Sequence, residues 1–137
     1  MKNLKSKSQN SIIFLLASFV MVIFLTAAQT AKWTAPETAK KTANPVPSDA
    51  TSIGEGKKIY ESDCKKCHGK KGMGDGPNAS ELDKPLDPLN NASMKGQTDG
   101  EVFWKITEGR KPMPSGKKTL TEQQRWQVLN YIRTFAK

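Results

Sequence analysis

The sequence predicts an all-α domain of about four to five helices. Three observations carry this expectation. Apolar residues recur at helical spacing over 54–67, 98–108 and 121–137. Glycine and proline clusters separate those three segments. No strand pattern of any length interrupts them.

The first 28 residues stand apart from that domain. Lys2, Lys5 and Lys7 precede a run, 12–25, that is apolar except for Ser18, and Thr26-Ala27-Ala28 comes next. A basic start, an apolar stretch and small residues in that order read as a secretory signal cleaved after Ala28. The same stretch also reads as an uncleaved membrane anchor, at the short end of the ~17–25 residues that span a bilayer. Both readings stand. Both place the rest of the chain on the periplasmic side of a bacterial inner membrane, because basic flanks stay in the cytoplasm. The domain is then soluble after cleavage or tethered by the segment. Residues 29–50 shift to Ala, Thr, Pro and Lys, and Pro36, Pro45 and Pro47 oppose a helix. With few large apolar side chains, the segment is expected to be an extended, semi-rigid linker. Trp33 is its exception, suited to a membrane interface or to docking on the domain.

The domain is expected over 51–137. Ser52, with Glu55 three residues on, gives a capping-box pattern for the first helix. Ile53, Ile59 and Tyr60 supply that helix with an apolar side, and Gly69 stops it. Residues 69–77 contain four glycines, which implies tight turns and close backbone approach. Residues 78–96 read as a polar loop with Leu82, Leu86 and Leu89 turned inward. Thr98 and Glu101 open the next helix, Val102, Phe103 and Ile106 form its apolar stripe, and Gly109 ends it. Thr121 opens the strongest helix, where Trp126, Val128, Leu129, Tyr131, Ile132 and Phe135 make a broad apolar face.

Between the first helix and the glycine-rich loop lies Cys64-Lys65-Lys66-Cys67-His68. It holds the only two cysteines and the only histidine of the chain. A C-x-x-C-H run reads as covalent attachment of one haem c. Each thiol adds to one haem vinyl group, and the two-residue gap matches their separation. The next residue then offers its imidazole as proximal iron ligand. Other readings are weaker. Zinc takes four ligands, and only three soft ones exist here. A thioredoxin-type pair belongs near a βαβ pattern and leaves the histidine without a role. A disulfide between Cys64 and Cys67 would close a very small loop and stabilise little. A domain of this size buries only a modest core, and a covalently held macrocycle would reinforce it.

The sixth iron position cannot be a second imidazole. Met73, Met94, Met113, a lysine or an open site remain. Met113 lies between Pro112 and Pro114, just after the helix-ending Gly109, and prolines stiffen an extended strap. It is the favoured ligand, and Met73 and Met94 are expected as core filler or surface residues.

Twenty-two Lys and Arg face 13 Asp and Glu, a formal charge of +9. Without Lys2, Lys5 and Lys7, six positive charges remain in excess. This suits redox partners with acidic docking surfaces, or anionic lipid. Lys65, Lys66, Lys70 and Lys71 flank the motif and could ring an exposed haem edge. No interleaving of basic and aromatic residues points to nucleic acid.

Taken together, Gly56 and Tyr60, the run from Cys64 to Pro77, Gly109 to Pro114, and Trp126 to Arg133 resemble the small bacterial class I c-type cytochromes. The resemblance implies a cytochrome c fold, in which the first and last helices cross at nearly a right angle over a glycine. Gly56, Tyr60 and Tyr131 match the crossing positions. It further implies His68 and Met113 as the axial ligands, and a Pro77 carbonyl that accepts from His68 Nδ1. The function implied is one-electron transfer between respiratory redox partners outside the cytoplasm. With both axial positions filled there is no small-molecule substrate and no enzymatic site. Two alternatives accompany this reading: a cytochrome subunit of a larger oxidase or reductase complex, and a haem sensor with a labile sixth ligand.

Overall fold

Helices account for all the regular structure in the computed structural model, which describes residues 32–136. The chain divides into two units, 1–34 and 35–137. The expected signal or anchor falls in the first unit and lies outside the described residues. The second unit contains α1 (Glu37–Lys40), α2 (Ala50–Ile59), α3 (Lys65–His68), α4 (Ala92–Lys95), α5 (Asp99–Glu108) and α6 (Glu122–Arg133). A wide π-type turn over Tyr60–Cys64 joins α2 to α3. No strand occurs among the described residues, only an isolated bridge between Arg110 and Met113.

The core forms where α2 crosses α6. Gly56 makes the crossing possible: a Cβ there would lie 2.0 Å from the Gln127 carbonyl oxygen. Tyr60, one turn on, is fully buried, with ring centroids 5.3 Å from Tyr131 and 5.2 Å from Phe135. From α6, Trp126, Val128, Leu129 and Ile132 are buried. Each such side chain contributes about 1.5–3 kcal/mol by leaving water. Phe103 of α5 stacks on Trp126 at 3.7 Å, and the Arg125 guanidinium sits 5.3 Å from the same Phe103 ring. The capping boxes at Thr98 with Glu101 and Thr121 with Gln124 are both formed.

Three elements differ from expectation. The first helix starts at Ala50, capped by Asp49, whose carboxylate accepts from Ser52 N at 2.7 Å. Ser52 cannot serve as the cap because it is buried within the first turn, where its hydroxyl accepts from Asn130 Nδ2. The polar stretch 78–96 contains a helical turn, α4, capped by Asn91, and α4 buries Met94. Leu82, Leu86 and Leu89 are half-buried, as expected.

The third difference is the largest. Part of the segment expected to be extended, residues 35–49, is a strap packed on the domain. Ala35 and Ala39 are buried. Their small side chains let α1 approach α5 so closely that a Cβ on Gly100 would lie 1.9 Å from the Ala39 carbonyl oxygen. Asn130 then holds the second half of the strap. Its amide nitrogen donates to the carbonyls of Val46 and Pro47, and its oxygen accepts from Asn44 Nδ2 at 2.7 Å. Composition suggested too little apolar surface to fix this segment. Backbone contact and a buried amide fix it instead.

Candidate haem-attachment site

The motif sits at the end of the long run from α2 through the wide turn into α3. A π-type turn widens the helix by one residue and so rotates the residues after it. Cys64 closes that turn, and Cys67 and His68 lie in α3. Both thiols are free and half-buried. Cys64 packs against the core cluster, and burial, with the Asp63 carboxylate beside it, pushes its thiol up to about 12. Burial also lowers the pKa of His68, which favours the neutral imidazole that a metal needs.

A helix end leaves carbonyls unpaired, and here the glycine-rich loop satisfies all four. Gly69 N donates to Lys65 O, Asn78 N to Lys66 O, Gly76 N to Cys67 O, and Gly74 N to His68 O at 2.9 Å. The loop must therefore lie against α3 backbone to backbone. A Cβ on Gly76 would be 2.4 Å from Lys66 O and 2.6 Å from Lys65 O. Gly69 and Gly74 also adopt positive φ, at 80° and 77°. Tyr60 completes the corner by donating its hydroxyl to Gly69 O at 2.7 Å. The sequence placed Tyr60 at the helix crossing but carried no sign of this second task.

His68 Nδ1 is buried and has no hydrogen-bond partner. The bond from it to the Pro77 carbonyl, implied by the resemblance, is not formed. Asn78 N–H points at Lys66 O, so the trans peptide before it turns the Pro77 carbonyl away from α3. Pro77 itself is exposed.

The three candidate methionines, Met73, Met94 and Met113, take three different environments. Met73 is exposed, with Asn90 Nδ2 donating to its sulfur at 3.5 Å. Met94 is core. Met113 is half-buried, packs against the core cluster, and closes a turn in which its N–H donates to Arg110 O at 2.9 Å.

Two free thiols, a neutral imidazole beside them and a backbone-locked corner fit covalent haem. They do not fit zinc: among the described residues, no three or more His, Cys, Asp or Glu side chains are grouped to hold a metal ion. A family model described as cytochrome c oxidase, cbb3-type, subunit III matches residues 51–132. The chain belongs to this family of c-type cytochrome domains. The cytochrome therefore carries covalently bound haem c, whose attachment motif Cys64 and Cys67 fit, and it is an electron-transfer protein. Among solved structures, a chain of the reducing HAO-like protein complex of Kuenenia stuttgartiensis is similar, at 35% identity over 68% of this chain with a TM-score of 0.60. The cytochrome spans about half of that chain, 47% of its length. No curated protein matches.

Proposed function

We propose that this cytochrome is an exported one-electron carrier whose iron is held by His68 and Met113. The observation that carries the ligand assignment is the separation of the three methionines into surface, core and half-buried turn. Only Met113 combines access with a stiff proline-flanked backbone. Bound haem supplies a single-electron Fe(III)/Fe(II) couple, and the electron moves from one partner to the next without transfer of an atom. The chain's own residues do the rest. The two thiols fix the macrocycle, burial keeps His68 neutral, and the Tyr60 hydroxyl pins the backbone just after His68. With both axial positions filled, no open site remains for a substrate. Lys65, Lys66, Lys70 and Lys71 are all exposed, which supports docking on acidic redox partners.

The test is Met113→Ala in the matured protein. The weak far-red Met-to-ferric-haem band should vanish, and the reduced protein should then bind carbon monoxide. An unchanged spectrum would return the ligand to Met73 or Met94. Carbon monoxide binding by the unaltered protein would favour the haem sensor.

A second reading has support of its own. The family description names an oxidase subunit, and the similar solved chain belongs to a protein complex. On that reading the cytochrome is a stoichiometric subunit of a larger redox assembly. Co-purification at a fixed ratio from detergent-solubilised membranes would favour it.

A further inference from the structure

Helix α5 ends on carbonyls that need donors from outside it. Two residues supply them, one on each side of Met113. Gly109 N donates to Lys105 O at 2.9 Å. Ser115 donates its hydroxyl to Thr107 O at 2.6 Å. The two donors also lie against each other. A Cβ on Gly109, whose φ is 66°, would be 2.6 Å from Pro114 O and 2.7 Å from Ser115 N. Residues 109–115 therefore form a closed loop whose two ends meet at the end of α5. Inside it, Met113 N donates to Arg110 O at 2.9 Å, and a proline on each side of Met113 fixes φ. The chain beyond the loop is seated separately. A Cβ on Gly116 would lie 2.7 Å from Ile106 O, and Arg125 Nη1 donates to Leu120 O at 2.7 Å. All these partners belong to the loop itself, α5, α6 or the turn between them, and none to the 64–78 corner.

We propose that Ser115 is a positioning residue for the sixth iron ligand: its hydroxyl latches the Met113 loop against α5 and so slows loss of Met113 from the iron. This assignment rests on the reading of Met113 as that ligand. The reason is entropic. A methionine on an open loop gives up backbone freedom each time it binds. A loop closed beforehand has already given it up, so binding costs less and release gains less. The two prolines stiffen the loop between its ends, which leaves the ends as the places where it can open. The Gly109 end is held by a backbone hydrogen bond, which no side chain supplies. The Ser115 end hangs on one hydroxyl. Alanine at 115 removes that hydroxyl, while the Gly116 contact and Arg125 keep the following chain in place.

The experiment uses the full matured chain with its haem, in the ferric state. Saturating imidazole displaces a methionine ligand at a rate limited by loss of that methionine, and fading of the far-red band follows it. Ser115→Ala should keep the band before imidazole is added and raise the limiting rate about fivefold, the factor expected for one lost hydrogen bond of ordinary strength. Asn130→Ala reports the effect of lost stability alone, because it loosens the 35–49 strap and not this loop. Its limiting rate should match that of the unaltered protein. A Ser115→Ala rate equal to that of the unaltered protein, or an Asn130→Ala rate raised as much, overturns the latch. Both outcomes leave Met113 as the ligand. Failure of the ligand reading looks different: the far-red band would survive Met113→Ala.

Discussion

The corner at 64–78 and the strap at 35–49 are both poor in large apolar side chains, and both are fixed to the domain by polar contacts. They differ in where those contacts come from. The corner is held by backbone bonds between near neighbours, such as Gly74 N to His68 O and Asn78 N to Lys66 O. The strap is held across the whole domain, by an amide 83 to 86 residues away from its partners. Local bonds form together with the helix that they cap. Long-range bonds form only once α6 has packed. The corner should therefore fail together with the haem site, and the strap should peel away by itself.

The largest expected effect comes from Gly76→Ala. The added Cβ meets backbone oxygens of Lys65 and Lys66 that cannot move without unwinding α3. A loss above ~4 kcal/mol is expected, in the range reserved for severe clashes. Haem incorporation, measured by haem stain, should drop with the melting temperature. Asn130→Ala comes next. It leaves the Asn44 amide, two carbonyls and the Ser52 hydroxyl without this partner, at about 1–3 kcal/mol for each polar group that stays buried and unpaired. Trypsin should then cut after Lys40 or Lys41, while the haem spectrum stays unaltered. If stability falls but the strap remains resistant, Asn130 is not what holds it. Tyr60→Phe should be the smallest of the three. It removes one buried hydrogen bond, to Gly69 O, and should cost about 1–2 kcal/mol. Its effect should be confined to the corner, so tryptic resistance of the strap should match that of the unaltered protein.

The same division explains what the sequence made legible. Helix caps at Thr98 and Thr121, the stop at Gly109, and the Cys64-Cys67-His68 spacing all depend on residues within a few positions of one another. Each was readable. The crossing at Gly56 was readable only through family resemblance, because the Gln127 carbonyl that demands glycine lies in another helix. Asn130 offered no warning. A single amide within an apolar helix face looks like an interruption of the pattern, and only the folded chain shows four groups meeting it. The wide turn over Tyr60–Cys64 was hidden for another reason. One added residue in a five-residue window does not alter a hydrophobic period enough to read. Asp49 and Ser52 are both residue types that suit an N-cap, and burial of Ser52 against α6 leaves the cap to Asp49.

The central claim is that Cys64 and Cys67 together carry one haem. Its most direct test is the intact mass of the chain, produced with a c-type maturation system and washed with acid–acetone. The expected result is the mass of the polypeptide plus one haem, no thiol left for iodoacetamide to alkylate, and pigment that stays with the protein. A colourless polypeptide at its unmodified mass, with the pigment in the acetone, would contradict it.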